Sequence, residues 1–423
     1  MNRLIWFRND LRLSDNETLK AAIDGCEGSI VYLYIHDQSL DHSTPENFER
    51  MGAHRKKFLA ESIRDLQAQL RSKGADLCCL VGDPVLLIPR LCQRLQINSI
   101  YHSRLTAQTD RRVENILAKT LETEGIAVHR FQTHTLLHDD DLEYDPFQLM
   151  SFSKRRKLVE ESSWPVRAPL EEPTHYPKAI PISEEPRWDF ESAIVESTEE
   201  RGVKVMGGER SALTQMATYF QTKGLLNNYK NTRNGLIEFT DSSKFSPALS
   251  LGCVSARRIY QEVRRHEQGG NLSSLWFLYE LLWRDHFHFL AKGRGARLFT
   301  EPLSLEHSGF EEWQQARTGN QFIDAAMNEL KQTGWLSNRM RQNAASFLIH
   351  DKNVDWRMGA RWFESCLIDY DPCSNWGNWA YIAGADVDRK PHRFDIEQQA
   401  NMYDRDHSYR NLWYERYKKL SKG

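Results

Sequence analysis

The 423-residue chain lacks several features that mark common classes of protein. Its seven cysteines are scattered and include no C-x-x-C pair, so they predict reduced thiols rather than a disulfide framework or a metal site. No apolar run is long enough to cross a membrane, and charges begin at Arg3 and Arg8, so we expect no secretory leader. These absences predict a cytoplasmic protein with no membrane partner.

The chain also has no large excess of basic or acidic residues. Lys and Arg number 56 and Asp and Glu number 58, which argues against a generally basic nucleic-acid binder but allows a local basic surface. A glycine-rich dinucleotide turn, G-x-G-x-x-G, is missing after the first apolar run, where the chain has Arg8, Asn9 and Asp10. A dinucleotide held on that turn is therefore not expected.

The first third of the chain alternates short apolar runs with helical patterns. Such alternation predicts a parallel sheet covered by helices on both faces, a Rossmann-like domain that we place at residues 1–131. The predicted strands are 4–7, 29–35, 76–81, 99–101 and 126–131, and the predicted helices are 18–23, 47–72, 84–95 and 111–124.

The remainder divides into a connector and a helical domain. Residues 132–210 lose the alternation, and six prolines between 165 and 186 predict a long connector across the surface. Its basic run, 154–157, is interpreted as a solvated helix face. Residues 211–423 show helical patterns almost throughout, so the predicted fold class is α/β plus all-α.

The segment 333–381 carries polar groups inside patterns that otherwise predict a core. They are Asn338 and Arg341, three residues apart, Asn375 and Trp379, four apart, and Asp369 and Asp371. On helices the first two pairs each share a face, and burying such groups is costly unless a partner satisfies them. Two interpretations stay open: a large ligand with ring nitrogens and carbonyls, or a buried ion pair between Arg341 and Asp369.

Two further patterns suit a ligand. The run Ser242 to Ser246 precedes a helical pattern at Pro247, where hydroxyls and free N–H groups suit a diphosphate or simply cap a helix. Glu280, Trp283 and Arg284 share one helical face at i, i+3 and i+4. They suit a flipped-out base and its phosphate, or else form an exposed Glu–Arg pair beside a half-buried tryptophan.

Three segments carry a family resemblance: TGWLSNRMRQNAASFL at 333–348, LIDYDPCSNWGNW at 367–379 and ELLWRD at 280–285. With them the chain resembles the cryptochrome/photolyase family, and its details resemble the DASH branch. The resemblance extends from Leu4 to about Tyr409. It implies an antenna-type α/β domain followed, after the connector, by a helical domain at 211–423 that binds FAD.

The resemblance also implies roles for single residues around FAD. Arg341 and Asp369 would form a pair beside the flavin ring, and Asn375 would face N5. An uncharged asparagine there tolerates a reduced, anionic flavin. The implied FAD contacts are Tyr229, Ser242, Ser243, Lys244, Phe245, Ser246, Asn338, Arg341, Asp369, Asp371 and Asn375.

A tryptophan relay to the surface is part of the same resemblance. Trp379 and Trp356 match its first two members, which pass electrons to photoexcited flavin. The third position is Leu303 here, a departure that puts the usual exit of the relay in doubt. Trp376, Trp362 or a tyrosine are the candidate substitutes.

The implied substrate is a cyclobutane pyrimidine dimer in single-stranded DNA, bound by a monomer. Tyr381 and Gln342 stand where duplex-repairing relatives carry Trp and Met. Tyrosine offers a smaller stacking area, and base–aromatic stacking contributes roughly 1–3 kcal/mol, so extracting a paired base is harder. The implied substrate contacts are Glu280, Trp283, Arg284, Asn338, Gln342 and Tyr381.

The implied reaction needs no metal. Reduced FAD absorbs blue light, donates an electron to the dimer and receives it back after the ring opens, while Glu280 donates a hydrogen bond as a neutral acid. Two alternatives remain: a cryptochrome-type photoreceptor with little repair, and a nucleic-acid-binding protein that uses FAD as a structural plug. The family's usual second chromophore is methenyltetrahydrofolate, but LTAQTD departs from the family's acidic form around residues 108–110, so folate, another chromophore or none stay open.

Overall fold

A five-stranded parallel sheet with strand order β3-β2-β1-β4-β5 forms the N-terminal domain of the computed structural model. The structure describes residues 1–44, 47–194, 205–267, 269, 271–300 and 308–415. The central strands are buried because helices cover both faces, which confirms the predicted Rossmann-like architecture. The strands are β1 Asn2–Phe7, β2 Ile30–His36, β3 Leu77–Val81, β4 Ile97–Ser103 and β5 Ala127–Phe131, and the helices between them are α1 Glu17–Ile23, α2 Ala53–Ser72, α3 Pro84–Arg94 and α4 Gln108–Thr123.

The second helix begins later than the sequence pattern predicts. The pattern places its start at residue 47, whereas α2 begins at Ala53, after Gly52 in an extended conformation. Gly52 N–H donates to Ser365 O of the helical domain at 2.9 Å, and a side chain at Gly52 would meet the same oxygen. A contact between domains therefore holds this segment out of the helix, which local periodicity does not reveal.

Helices dominate the chain after β5, as predicted. Among the described residues, no helix is both long and apolar enough to cross a membrane. The helices are α5 Phe152–Glu161, α6 Glu209–Ala217, α7 Tyr229–Thr232, α8 Ser246–Ser250, α9 Ala256–His266, α10 Leu272–Arg294, α11 Ser308–Gln314, α12 Gln321–Thr333, α13 Asn338–Ser346, α14 Trp356–Cys366, α15 Pro372–Ile382, α16 Ile396–Tyr403 and α17 Ser408–Arg410.

The connector does not only cross the surface as predicted, because its helix α5 packs against α10. Arg155 of α5 is fully buried, donates to His286 Nδ1 at 3.2 Å and lies over the Phe289 ring. The interpretation of 154–157 as a solvated face is therefore wrong at Arg155. The side chain turns inward because two aromatic residues of α10 receive it.

Buried polar contacts fix the helical domain against the α/β domain and the connector. Asp285 of α10 accepts from the backbone N–H groups of Leu136 and Leu137, at 3.0 and 2.8 Å. Asp15 pairs with Arg257 of α9 at 2.7 Å, and both side chains are almost fully buried. Since buried charges persist only when they are paired and hydrogen-bonded, these contacts set the geometry of the interdomain cleft.

Candidate active site

One cavity of about 400 Å³ lies among α10, α13, α15 and the loop before α8. Every residue predicted to contact FAD and every residue predicted to contact the substrate lines its wall. A volume of this size is within the range of cofactor and ligand pockets. Trp356 is the one predicted site residue of the described chain that does not line it.

The Arg341–Asp369 pair is formed, and it leaves an acceptor free. Arg341 Nη2 donates to Asp369 Oδ2 at 2.9 Å, and the Ser246 hydroxyl donates to the same oxygen at 2.6 Å. Asp369 Oδ1 is buried and has no hydrogen-bond partner among the described residues. A buried orphan acceptor on a cavity wall is costly unless a ligand N–H satisfies it, so this site fits a ring such as that of FAD better than a closed ion pair.

The start of α15 positions Asn375. Asp371 caps the helix by accepting from Ser374 N–H at 2.7 Å, and Pro372 occupies the first helical position, where its missing N–H costs nothing. Asn375 Nδ2 donates to Ala360 O of α14 at 2.9 Å. Its Oδ1 is therefore the amide atom left to accept from a ligand N–H.

Lys244 brings a buried positive charge to the wall of the cavity. Its backbone has φ 55°, in the left-handed region, and its Nζ donates to Ser242 Oγ at 3.0 Å. Burial lowers the pKa of Lys244, which an anionic partner would counter. The Trp335 ring lies 5.2 Å from Lys244 Nζ and 5.1 Å from the Arg341 guanidinium carbon, so one ring contacts two cations. Trp335 was not among the predicted FAD contacts, although it stands inside the segment 333–348.

Aromatic rings form the part of the wall assigned to the substrate. Trp283 stacks on Phe152, the first residue of α5, with ring centroids 3.7 Å apart and planes 8° apart. Tyr381 meets the Trp283 ring at its edge, 5.6 Å away, and stacks on His392. Phe152 thus covers one face of Trp283 and fixes its orientation, which the sequence pattern of the connector gave no reason to expect. Gln342 and Asn338 line the same cavity from α13.

Glu280 has an intramolecular partner that the sequence analysis missed. Its Oε1 accepts from Arg233 Nη1. Burial raises the pKa of Glu280, and Arg233 opposes that shift. Arg233 stands four residues after Tyr229, so a shared helical face with a predicted FAD contact was the available signal. Tyr229 itself is buried against Phe277, at 4.9 Å between ring centroids.

Arg284 lines the cavity and also makes two hydrogen bonds within the chain. Its Nη1 donates to His134 O in the connector, and its Nη2 donates to Leu249 O of α8 at 3.3 Å. This guanidinium ties three segments together at the inner wall of the cavity, and its predicted contact with a DNA phosphate stays a prediction.

The two predicted relay tryptophans lie on neighbouring helices. Trp379 is buried and meets the Phe363 and Trp313 rings edge-on, at 5.0 and 6.1 Å. Trp356, half-buried at the start of α14, meets Trp376 edge-on at 5.7 Å. Leu303, the predicted third position, lies outside the described residues. Trp376 is thus the candidate substitute that contacts a predicted relay member.

A second cavity, of about 420 Å³, opens in the cleft between the domains. Asp110, in the segment predicted to hold a folate antenna, is not part of its wall because it pairs with Arg8 at 2.7 Å. Four cationic and two aromatic side chains face this cleft cavity: Arg104, Arg111, Arg130, Lys292, Phe147 and Phe289. Two carboxylates, Glu114 and Asp139, also line it, and Asp139 pairs with Arg104 at 2.7 Å and with Lys292 at 3.1 Å. The remaining excess of positive charge and the two rings suit an anionic ring ligand.

Comparison with known proteins identifies the architecture. Residues 3–174 match the family described as DNA photolyase, and residues 277–423 match the FAD binding domain of DNA photolyase. A protein of Gloeobacter violaceus named cryptochrome DASH is 41% identical, over 97% of this chain and 85% of its own length. The chain belongs to the cryptochrome/photolyase family, in its DASH branch.

Solved structures agree with this placement. A Synechocystis cryptochrome superposes with a TM-score of 0.93 at 38% identity, over 97% of this chain and 88% of that one. An archaeal photolyase from Sulfolobus tokodaii with two FAD molecules superposes with a TM-score of 0.80 at 25% identity, over 98% and 90%. The DASH-type chain therefore carries the photolyase FAD-binding domain, and the cavity described above lies within the helical domain that includes it.

Proposed function

We propose that this DASH-type protein is a light-driven lyase that repairs cyclobutane pyrimidine dimers, preferentially in single-stranded DNA. One observation supports it most: the predicted flavin contacts and the predicted lesion contacts line the same cavity. When bound in reduced form, FAD would supply the electron that opens the dimer. No further redox partner on the protein is needed, because the electron returns after the bond breaks.

The chain's own residues account for binding and orientation. Asp369, Arg341 and Asn375 present one orphan acceptor, one guanidinium and one amide oxygen to the ring, while Lys244 offers charge to the diphosphate. Glu280, held by Arg233, faces the same space from α10. Its raised pKa supports a hydrogen bond from the carboxyl to a carbonyl of the dimer.

Two features support the preference for single strands. Trp283 has one face covered by Phe152, so a base can stack only on the other, and Tyr381 meets it edge-on rather than adding a wide parallel surface. If stacking is worth roughly 1–3 kcal/mol per base, this wall compensates little of the few kcal/mol needed to flip a paired base. A single strand does not impose that cost.

Dimer repair in irradiated oligothymidylate tests the proposal. The purified holoprotein with reduced flavin is illuminated, and dimers are counted in single-stranded and in duplex substrate. Repair of the single strand, at a rate well above the duplex rate, is expected. Glu280→Ala is expected to slow it, whereas Glu143→Ala, an exposed glutamate in the connector, leaves it unchanged. Light-dependent flavin redox change without dimer loss in either substrate would overturn the proposal in favour of a photoreceptor.

We also propose that the cleft cavity holds a second, anionic chromophore. Its excess of cations over carboxylates and its two aromatic rings suit the carboxylates of methenyltetrahydrofolate or the phosphates of a flavin, and the Sulfolobus photolyase has a second FAD. Chromophores released from the purified protein are separated and quantified. A second chromophore is expected in the parent and should decrease in Arg130→Ala; one FAD and nothing else, even after reconstitution with folate or flavin, would contradict this.

A further inference from the structure

Two histidines and an aspartate meet in the wall between the two cavities. His134 lies in the connector, His288 on α10 and Asp371 at the start of α15, so 154 and 83 residues separate them in sequence (134 to 288 and 288 to 371). Their ligand atoms all lie within 4.8 Å of one another, and all three residues are buried. His134 and His288 line the cleft cavity, while Asp371 lines the flavin cavity.

The distances suit ligands around a metal ion better than hydrogen bonds. Asp371 Oδ2 lies 3.5 Å from His134 Nε2 and 3.3 Å from His288 Nε2. These separations exceed the usual 2.7–3.2 Å of an N–H···O bond. Metal–ligand bonds of about 2.0–2.2 Å in a tetrahedron place neighbouring ligand atoms about 3.3–3.6 Å apart.

The surroundings of His288 also favour a role as a metal ligand. His288 is 3% exposed, and neither of its ring nitrogens has a hydrogen-bond partner among the described residues. Leaving an imidazole buried in this way is costly, and ligation would satisfy Nε2.

The carboxylate is oriented by a second contact. Asp371 Oδ1 accepts from Ser374 N–H at 2.7 Å, which holds the carboxyl group and leaves Oδ2 to the histidines. Such outer contacts are typical of metal ligands. Two imidazoles and one carboxylate are a donor set that zinc prefers, with a fourth position for water or a ligand group.

We propose that His134, His288 and Asp371 bind one divalent transition-metal ion, with Zn²⁺ as the best match. The ion lies in the shared wall, and its fourth coordination position is reachable from the cleft side, where both histidines form part of the surface. The site borders the flavin cavity through Asp371, which is also a predicted FAD contact, but the proposed metal binding does not depend on the flavin reaction.

Zinc content and coordination test the proposal. The holoprotein is loaded with Zn²⁺, freed of excess metal by gel filtration, and analysed by mass spectrometry for zinc and by X-ray absorption at the zinc edge. About one zinc per chain, with imidazole and oxygen scattering near 2.0–2.1 Å, is expected. The absorption measurement needs no variant, so it decides even if a substitution disturbs folding.

Matched histidine variants locate the ion. His288→Asn and His134→Asn are expected to lose the zinc. His138→Asn is the control, because His138, Asp139 and Asp140 form the other group of possible ligands among the described residues, on the surface of the connector. A chain that retains no zinc, zinc that survives both substitutions, or a spectrum without imidazole ligands would each overturn the proposal.

Discussion

Replacing Gly359 by alanine is expected to push the Trp379 ring out of place. A Cβ at this position of α14 would lie 2.2 Å from Trp379 Cη2 and 2.5 Å from its Cζ3. An ordinary contact begins near 3.4 Å, so the ring must move by about 1 Å, and overpacking of this kind costs about 1–3 kcal/mol. Leu348 Cδ2, at 2.8 Å, is the end of a flexible side chain and yields more easily.

The same substitution also has a stabilising effect on the helix, so its sign is expected to differ between two backgrounds. Alanine is a better helix former than glycine by about 1 kcal/mol, and Gly359 lies inside α14. In a Trp379→Phe background the two clashing ring atoms are absent, so the favourable part is opposed only by the contact with the flexible end of Leu348. We therefore expect Gly359→Ala to destabilise the parent and to stabilise the Trp379→Phe variant, with a coupling of about 1–3 kcal/mol.

Two measurements check this expectation. Denaturant unfolding of the four proteins of the cycle gives the coupling, and flavin content after purification shows that each retains its fold. Flavin absorbance under blue light with an external reductant gives the photoreduction rate, which should fall in Gly359→Ala because the displaced ring changes the electron path. Equal effects of Gly359→Ala in both backgrounds would refute the argument.

Three further expectations concern single side chains. Asp369→Asn should weaken FAD retention, measured by equilibrium dialysis, because the orphan carboxylate acceptor becomes an amide; unchanged retention would contradict the assignment. Burial raises the pKa of Glu329 to about 8, so the folded protein holds this proton more tightly than the unfolded chain. Its contribution to stability is complete below the ordinary glutamate pKa and is lost as pH rises through about 8, so Glu329→Gln should flatten the unfolding free energy between those pH values. Trp379→Phe should slow photoreduction strongly, whereas Trp164→Phe, in the connector, should not; equal rates in both variants would exclude Trp379 from the electron path.

The sheet was predictable because its signal is local. The buried β2 is a continuous apolar run, and the helices between strands have clear periodicity, so the order of elements follows from the sequence. The start of α2 was not predictable from the sequence, because a hydrogen bond from Gly52 to another domain determines it. The burial of Arg155 was also not predictable from the sequence, because only the folded chain brings Phe289 and His286 beside its side chain.

In the cavity, too, residues close in sequence were predictable and partners from distant segments were not. Residues clustered in one segment, such as Asn338 and Arg341, were recognisable from spacing and resemblance. Partners from distant segments were not: Arg233 stands 47 residues from Glu280, and His134 stands 154 residues (288 minus 134) from His288. Neither pair shares a helix or a strand, so no periodicity connects them.

Helix α10 is a wall common to both cavities. Glu280 and Trp283 face the flavin cavity, and His288, Phe289 and Lys292 face the cleft, all on one unbroken helix. The twelve helical steps from Glu280 to Lys292 span about 18 Å at 1.5 Å per step. Because α10 is continuous, it would hold chromophores bound in the two cavities at a constant distance from each other. The efficiency of energy transfer between them would therefore be fixed once the chain has folded.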